Sequence, residues 1–183
     1  MNKMCEQKIG FIGLGRMASA IIKGIISSGF MPKENILGFD VNQDALKYGA
    51  KNLDITPVSS LEELMSKASI VLIATKPFVI KNVLDEIKDK VRNHLVISIL
   101  AGVSLKVYEN NLPNTRVVRV MPNTPALISE GMSAVCKGNF AHDYDAEFVY
   151  NMFSKLGKAI YINEKDIDIV TAISGSGPAF YYY

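Results

Sequence analysis

The run Lys8 to Ile26, KIGFIGLGRMASAIIKGII, decides how the rest of the chain is read. It opens on a short apolar segment, Ile9-Gly10-Phe11-Ile12. Gly13-Leu14-Gly15-Arg16-Met17-Ala18 follows, and then apolar residues recur at helical spacing: Met17, Ile21, Ile22, Ile25 and Ile26. The order is buried strand, tight turn, amphipathic helix. The turn matches G-x-G-x-x-G/A, and its place between a strand and a helix is the context in which that pattern binds a dinucleotide. Gly13 permits the sharp turn out of the strand. Gly15 lets a pyrophosphate approach the backbone, and Ala18 lets the helix pack closely on the strand. The helix N-terminus then offers unpaired N–H groups and a partial positive charge. The plainer reading is a glycine-rich turn in some other α/β protein.

Outward from this run, strands and helices alternate. Ser28-Gly29 and Pro32 end the first helix. Asn35 to Phe39 reads as a second strand ending at Asp40, residues 42–52 as a helix, and Asp54 to Val58 as a third strand. Two overlapping S-x-x-E boxes at Ser59 to Glu63 start another helix. Ile70 to Ala74 is a continuous apolar run, as in a parallel strand covered on both faces. Pro77 opens a helix whose core face is Ile80, Val83, Leu84, Ile87 and Val91. Leu95 to Leu100, Arg116 to Met121 and Gly131 to Lys137 read as strands, and Ser104 to Asn111 as a short helix. Residues 143–156 read as a helix capped by Asp143, and Ala159 to Ile162 closes the sheet. The alternation implies an α/β fold with a doubly wound parallel sheet of Rossmann type. Residues 1–162 form the dinucleotide domain, and a mainly helical second unit begins at residues 163–183. The aromatic end Ala179 to Tyr183 gives the chain the look of the N-terminal part of a longer protein.

Composition narrows the function classes. A chain of 183 residues with 49% hydrophobic content can build a core without staples. Net charge is +2, with Lys and Arg scattered among Asp and Glu, so there is no basic stripe for nucleic acid. No apolar run is long enough to span a bilayer, and no signal peptide precedes the first strand. Cys5 and Cys136 lack metal-ligand spacing, and reduced thiols in a cytoplasmic protein are expected. His94 and His142 have no metal-ligand companions and read as surface or structural. No metal is called for.

The residues that carry chemistry stand at strand ends, where ligands lie in open α/β sheets. Asp40 either binds the adenosine ribose hydroxyls or caps the following helix. In Ala74-Thr75-Lys76-Pro77, Lys76 either meets a ribose or phosphate or is a solvated lysine. Small residues in Ser98-Ile99-Leu100-Ala101-Gly102 let a nicotinamide lie on the backbone. Asn123, in Met121-Pro122-Asn123-Thr124-Pro125, either bonds a carboxamide or makes an Asx-turn. Ser174-Gly175-Ser176-Gly177-Pro178 reads as a flexible loop that either offers N–H groups to an anion or is a linker.

Taken together, GFIGLGRMASAI, IATKP, SILAGVSL, RVMPNTPALISEGMSAV and AISGSGPAFYYY resemble the pyrroline-5-carboxylate reductases over essentially the whole chain. The MPNTP and SGSGPA segments discriminate far better than the glycine turn. The resemblance implies reduction of the cyclic imine 1-pyrroline-5-carboxylate to L-proline, the last step of proline synthesis, with NADP(H) or NAD(H). It implies a small-molecule substrate and a helical domain that builds a homodimer or larger homo-oligomer. It implies cofactor contacts at Ile12, Gly13, Leu14, Gly15, Arg16, Met17, Asp40, Ala74, Thr75, Lys76, Pro77, Ile99 and Ala101, with Asn123 near the nicotinamide. Ser174, Gly175, Ser176 and Gly177 would lie near the substrate, where the two domains meet. Two departures stand out. Family members that favour NADPH often carry a small or basic residue in place of Asp40. The later helices, with a loop for the substrate carboxylate, are not in this sequence. No residue identifies itself as the proton donor. Two other classes share the glycine turn: a different, β-hydroxyacid-type dehydrogenase, and a non-enzymatic NAD(P)-binding regulatory module.

Overall fold

The computed structural model describes residues 7–177 and Phe180. Cys5, with the polar start of the chain, and Pro178, Ala179 and Tyr181 to Tyr183 of the aromatic end lie outside the described residues. Eight strands form one sheet: β1 (Ile9–Ile12), β2 (Ile36–Phe39), β3 (Thr56–Pro57), β4 (Ile70–Ile73), β5 (Leu95–Ser98), β6 (Arg116–Met121), β7 (Gly131–Lys137) and β8 (Gly157–Tyr161). Their order is β3-β2-β1-β4-β5-β6-β7-β8. The order reverses at β1, which pairs in parallel with both β2 and β4. That reversal opens a crevice at the carboxyl ends of the strands.

The helices are α1 (Arg16–Ser27), α2 (Gln43–Asn52), α3 (Leu61–Lys67), α4 (Ile80–Ile87), α5 (Leu105–Asn111), α6 (Asp143–Phe153) and α7 (Ile167–Val170). Side chains alternate across each strand, and the two faces bury different helices. On one face Phe11, Leu72, Ile97 and Val118 meet Ile21, Ile22 and Ile25 of α1 and Val149 and Met152 of α6. On the other, Ile12, Val71, Val96 and Val117 meet Leu64 of α3, Leu84 and Ile87 of α4 and Tyr108 of α5. The continuous apolar strands are therefore explained by burial on both sides.

The all-parallel expectation needs one correction. β7 runs antiparallel to β6, while β8 is parallel to β7. A parallel crossover takes about a dozen residues or more. The segment between Met121 and Gly131 holds only a short 3-10 turn, Thr124–Ile128, closed by Ser129 in the left-handed region at φ 61°. The chain must turn back on itself there. α6 then supplies a crossover to β8.

Several boundaries shift for local reasons. β3 shrinks to two residues because Asp54 adopts φ 58° and leaves extended geometry. Pro77 begins a 3-10 turn, Pro77–Val79, that runs into α4. α6 is capped by His142 rather than Asp143: the Asp145 carboxylate accepts the His142 N–H at 2.9 Å. Of the two overlapping boxes before α3, Ser60 caps, accepting the Glu63 N–H at 3.1 Å.

Candidate functional site

The crevice is built on the glycine turn between β1 and α1. Gly13 has φ +93°, and a Cβ there would lie 2.9 Å from the Ala74 carbonyl oxygen. Both facts demand glycine. Its N–H donates to the Phe39 carbonyl at 2.8 Å, which ties the turn to β2. Gly15 differs. It is the N-cap of α1 at φ −67°, an ordinary conformation, and a Cβ there would meet nothing within 4 Å. Its lack of a side chain does nothing for the fold; it keeps open the space in front of α1. Ala18 is buried against the sheet.

The first turn of α1, like those of α4 and α5, carries no acidic residue, whereas those of α2, α3 and α6 do. The partial positive charge at this helix start faces the open space before Gly15, where an anion fits.

Asp40 holds the turn from the side. Its Oδ2 accepts the Leu14 N–H at 2.7 Å and its Oδ1 the Asn42 N–H at 2.8 Å. It is not the helix cap: Asn42 caps α2, its Oδ1 accepting the Asp44 and Ala45 N–H groups. Leu14 turns its side chain into the core, so its N–H, already given to Asp40, is what it contributes.

Two adjoining stretches of cavity run along the carboxyl edge. One, of about 400 Å³, is lined by Ile12, Gly13, Gly15, Asp40 and Val41 on one side and Val79 and Asn82 on the other. The second, of about 480 Å³, is lined by Arg16, Met17, Pro77, Ile99, Ala101, Pro122 and Thr124. Ala74, Thr75 and Lys76 line both and join them. Each falls in the size range of small-molecule sites. At the junction the Thr75 Oγ1 is buried with no hydrogen-bond partner. A buried hydroxyl is seldom left unpaired. The orphaned Thr75 hydroxyl, the space before Gly15 and the elongated shape fit a dinucleotide.

Asn123 stands between two lining residues but is itself engaged. Its Oδ1 accepts the Met132 N–H at 2.8 Å, and its Nδ2 donates to Ser174 Oγ at 2.9 Å. It makes no Asx-turn. It joins the loop after β6 to the last described segment through Ser174, which itself lines neither stretch. Ser174 to Ser176 are not a loop. They belong to a π-helical turn, Thr171–Ser176, which continues from α7. A helical turn directs its N–H groups to its own carbonyls, so an open anion nest is not formed there. Gly175, Ser176 and Gly177 line neither stretch of the groove.

A buried polar group behind the second stretch was not read from sequence. Ser98 and Arg119 are cross-strand neighbours, as are Arg119 and Cys136. Ser98 Oγ and the Tyr108 hydroxyl are hydrogen-bonded. Arg119 Nη1 donates to Glu164 at 3.2 Å, and Asp168 stands 3.7 Å from Nη2. Burial pushes the Tyr108 phenol up to about 12, against smaller opposing effects of Ser98 and Arg119. Burial, then the Glu164 charge, pushes the Cys136 thiol up to about 11. Both groups are neutral at physiological pH. An arginine inside the apolar run Val117 to Met121 was the available signal. His94 is structural: Nδ1 accepts the Arg92 N–H and Nε2 lies 3.0 Å from the Met65 carbonyl oxygen. Among the described residues no cluster of His, Cys, Asp or Glu is placed to hold a metal, and no helix is long and apolar enough to cross a membrane.

Comparison with known proteins places this geometry in context. The family model described as NADP oxidoreductase coenzyme F420-dependent matches residues 8–102. A pyrroline-5-carboxylate reductase of Methanosarcina acetivorans is 41% identical over 98% of the chain and 67% of its own length. Pyrroline-5-carboxylate reductase 3 of Mus musculus is 37% identical over 95% of the chain and 64% of its own length. The crystal structure of Plasmodium falciparum pyrroline carboxylate reductase with NADP bound superposes with a TM-score of 0.88 at 37% identity. It covers 98% of this chain and 66% of that one. The chain thus spans about two thirds of the length of the relatives it matches.

Proposed function

The chain belongs to the pyrroline-5-carboxylate reductase family, and on that premise we propose that it binds NAD(P)H for reduction of the C=N bond of 1-pyrroline-5-carboxylate to L-proline. The observation that carries the proposal is the continuous groove at the carboxyl edge, with open space at Gly15 and an unpartnered Thr75 hydroxyl at its middle.

The residues divide the work along the groove. The N–H groups of the first turn of α1 hold the pyrophosphate, beside Gly15. Asp40, already fixed by Leu14 and Asn42, keeps lone pairs for the adenosine ribose hydroxyls. Thr75 and Lys76 bridge the two stretches. The backbone of Ile99 to Ala101 and Pro122 wall the far stretch, where the nicotinamide lies. Bound there, the cofactor supplies the hydride. The protein's part is orientation, which can be worth about 7–11 kcal/mol of the barrier. Asn123 ties Ser174 to the loop after β6, whose Pro122 and Thr124 wall this end, and in this reading Ser174 lies on the substrate side. Protonation of the imine nitrogen falls to a group other than Tyr108 or Cys136, which are buried and hold their protons.

In the same reading the second domain begins near Asn163, the protein assembles as a homodimer or larger homo-oligomer, and it works in the cytoplasm. The test is proline formation from pyrroline-5-carboxylate with NADH and with NADPH. Turnover with either supports the proposal. Tight NAD(P)H binding by the intact protein without turnover would point to the regulatory module instead.

A further inference from the structure

Directly behind the groove wall formed by Ile99, Leu100 and Ala101 lies a pair of hydroxyls that the nucleotide reading leaves unused. Ser98 ends β5 and Tyr108 stands in α5; both side chains are fully buried. Their hydroxyls are hydrogen-bonded to each other, and Ser98 Oγ also accepts the Leu100 N–H at 3.3 Å. Alanine and phenylalanine would fill the same apolar face without polar atoms to satisfy. The pair therefore has a task that packing does not require, and among the described residues the hydrogen bond it makes outside itself is to the backbone of the groove wall.

The pair is also anchored from behind. The Leu105 N–H, at the start of the helix that carries Tyr108, donates to Glu164. The same Glu164 oxygen accepts from Arg119, the cross-strand neighbour of Ser98. A closed set of contacts thus holds α5, β5 and β6 to one another beneath the turn. On the other side of the turn, Gly102 has φ +70° and open space around it. The Leu100 side chain is buried in the core and the Ile99 N–H donates to the Ile73 carbonyl at 3.2 Å, so the Ser98 bond to the Leu100 N–H completes a set of holds on this wall.

We propose that Ser98 and Tyr108 are positioning residues: through the Leu100 N–H they fix the backbone of Ile99 to Ala101 against which the nicotinamide ring rests. The proposal rests on the assignment of that wall to the nicotinamide end of the cofactor. Neither side chain reaches the groove, so neither is a catalytic residue. Their effect is on the height and tilt of the wall, and through it on the reacting ring.

ADP-ribose carries every part of NADH except the nicotinamide, so the two ligands separate the wall from the rest of the groove. Calorimetric titration of both into the intact protein is compared for the wild type, Tyr108→Phe, Ser98→Ala and the double variant. Removing one hydrogen bond of this kind should weaken NADH by about tenfold and leave ADP-ribose within about twofold. The double variant should be no worse than either single one, because the two hydroxyls act as a unit. Tyr108→Phe keeps the ring and so carries the test if Ser98→Ala fails to fold. Unchanged NADH affinity in Tyr108→Phe, or parallel weakening of both ligands with a lowered melting temperature, overturns the proposal. Failure of the wild type to bind ADP-ribose would instead overturn the nucleotide reading beneath it.

Discussion

The turn after β1 and the loop after β6 border the same groove but are held in place by different means. The first is fixed by its own backbone. Gly13 supplies the positive φ, and the contacts that steady the turn are main-chain or single-carboxylate bonds from the next strand. The second is fixed by a side chain that reaches across the molecule. Asn123 takes hold of Met132 in the next strand and of Ser174, which is 51 residues away in sequence. A backbone-held turn can present bare N–H groups to a ligand, because no side chain stands in the way. A side-chain-held loop can couple two parts of the chain, because its anchor lies outside it. The groove joins one wall of each kind.

The sharpest way to break this comparison is to substitute the two glycines of the first turn. Valine at Gly13 meets both a forbidden conformation and the Ala74 carbonyl. Strain of this kind costs of order 1–3 kcal/mol, so the variant should melt earlier and bind nucleotide poorly. Valine at Gly15 meets neither obstacle. Its melting temperature should stay near that of the wild type. Affinity for NADH should nevertheless fall by roughly fivefold to 150-fold, the range of about 1–3 kcal/mol for overpacking. Calorimetry and thermal melts read both quantities. A Gly15 variant that unfolds, or that binds normally, would remove the distinction between a glycine kept for the fold and one kept for the ligand.

The second wall gives way differently. Asn123→Ala leaves the Met132 N–H without its acceptor and releases Ser174. A partly buried group left unpaired costs about 1–3 kcal/mol. ADP-ribose binding should survive, because the first stretch of the groove is untouched. Imine turnover should fall with little change in cofactor affinity, as the substrate-side segment loses its tie. Equal losses of cofactor affinity and turnover would show that Asn123 serves the nucleotide alone.

How far each wall was legible in the sequence follows from the same difference. The strand, turn and helix at Ile9 to Ile26 could be read because glycine requirements and helical spacing are local. So could most of the core face of α4, whose Ile80, Val83, Leu84 and Ile87 are buried, although the helix ends at Ile87 and Val91, beyond it, is only partly buried. The reversal of β7 was readable in principle from the shortness of the segment after Met121, but apolar strands look alike in either direction. Asn123 stands between the lining residues Pro122 and Thr124, yet its partners could not be named from sequence, since no local pattern points to Ser174. The same holds for Ser98, Tyr108, Arg119 and Glu164. Their contacts form only when β5, β6, α5 and the segment after β8 are packed together. The helical state of Ser174 to Ser176 was hidden by two glycines and two serines, residues that in isolation favour a loop.

Cofactor choice gives a smaller effect on the first wall. Asp40 sets a carboxylate at the rim of the adenosine stretch. A ribose 2′-phosphate about 4 Å away would meet repulsion on the order of 4 kcal/mol at an effective dielectric near 20, reduced by salt at this rim. Lys33 is held by Asp54 and the Asn42 Oδ1 by the α2 cap, which leaves Lys47 and the Asn42 Nδ2 as the groups that would offset the charge by folding toward it. NADH should be used better than is usual in the family, and Asp40→Ser should shift the ratio of kcat/KM values toward NADPH. Serine retains an acceptor for the Leu14 N–H, so the turn should stay folded. A wild-type preference for NADPH that the substitution does not change would show that the 2′ position lies away from Asp40.

The smallest expected effect tests whether a local hold stays local. Glu63 lies in the first turn of α3, outside the groove. Its carboxylate receives Lys67 Nζ at 2.6 Å and both the N–H and hydroxyl of Ser59 at 2.7 Å. The Lys67 hydrogen bond, then the two from Ser59, hold its carboxyl at about 2. In the unfolded chain the group returns to its ordinary value near 4.5. Its contribution to stability is therefore complete above that value and is lost as pH falls from about 4.5 toward 2. Glu63→Gln lacks the charge at every pH. The melting temperatures of wild type and variant should differ modestly at pH 7, converge across that window, and differ less at high salt because the site is exposed. NADH and ADP-ribose affinities at pH 7 should be the same in both proteins. A pH-independent difference in melting would show that Glu63 acts through packing rather than charge. A loss of nucleotide affinity would show that the α3 cap, which looks self-contained, is coupled to the groove through Leu61, the lining residue that follows it.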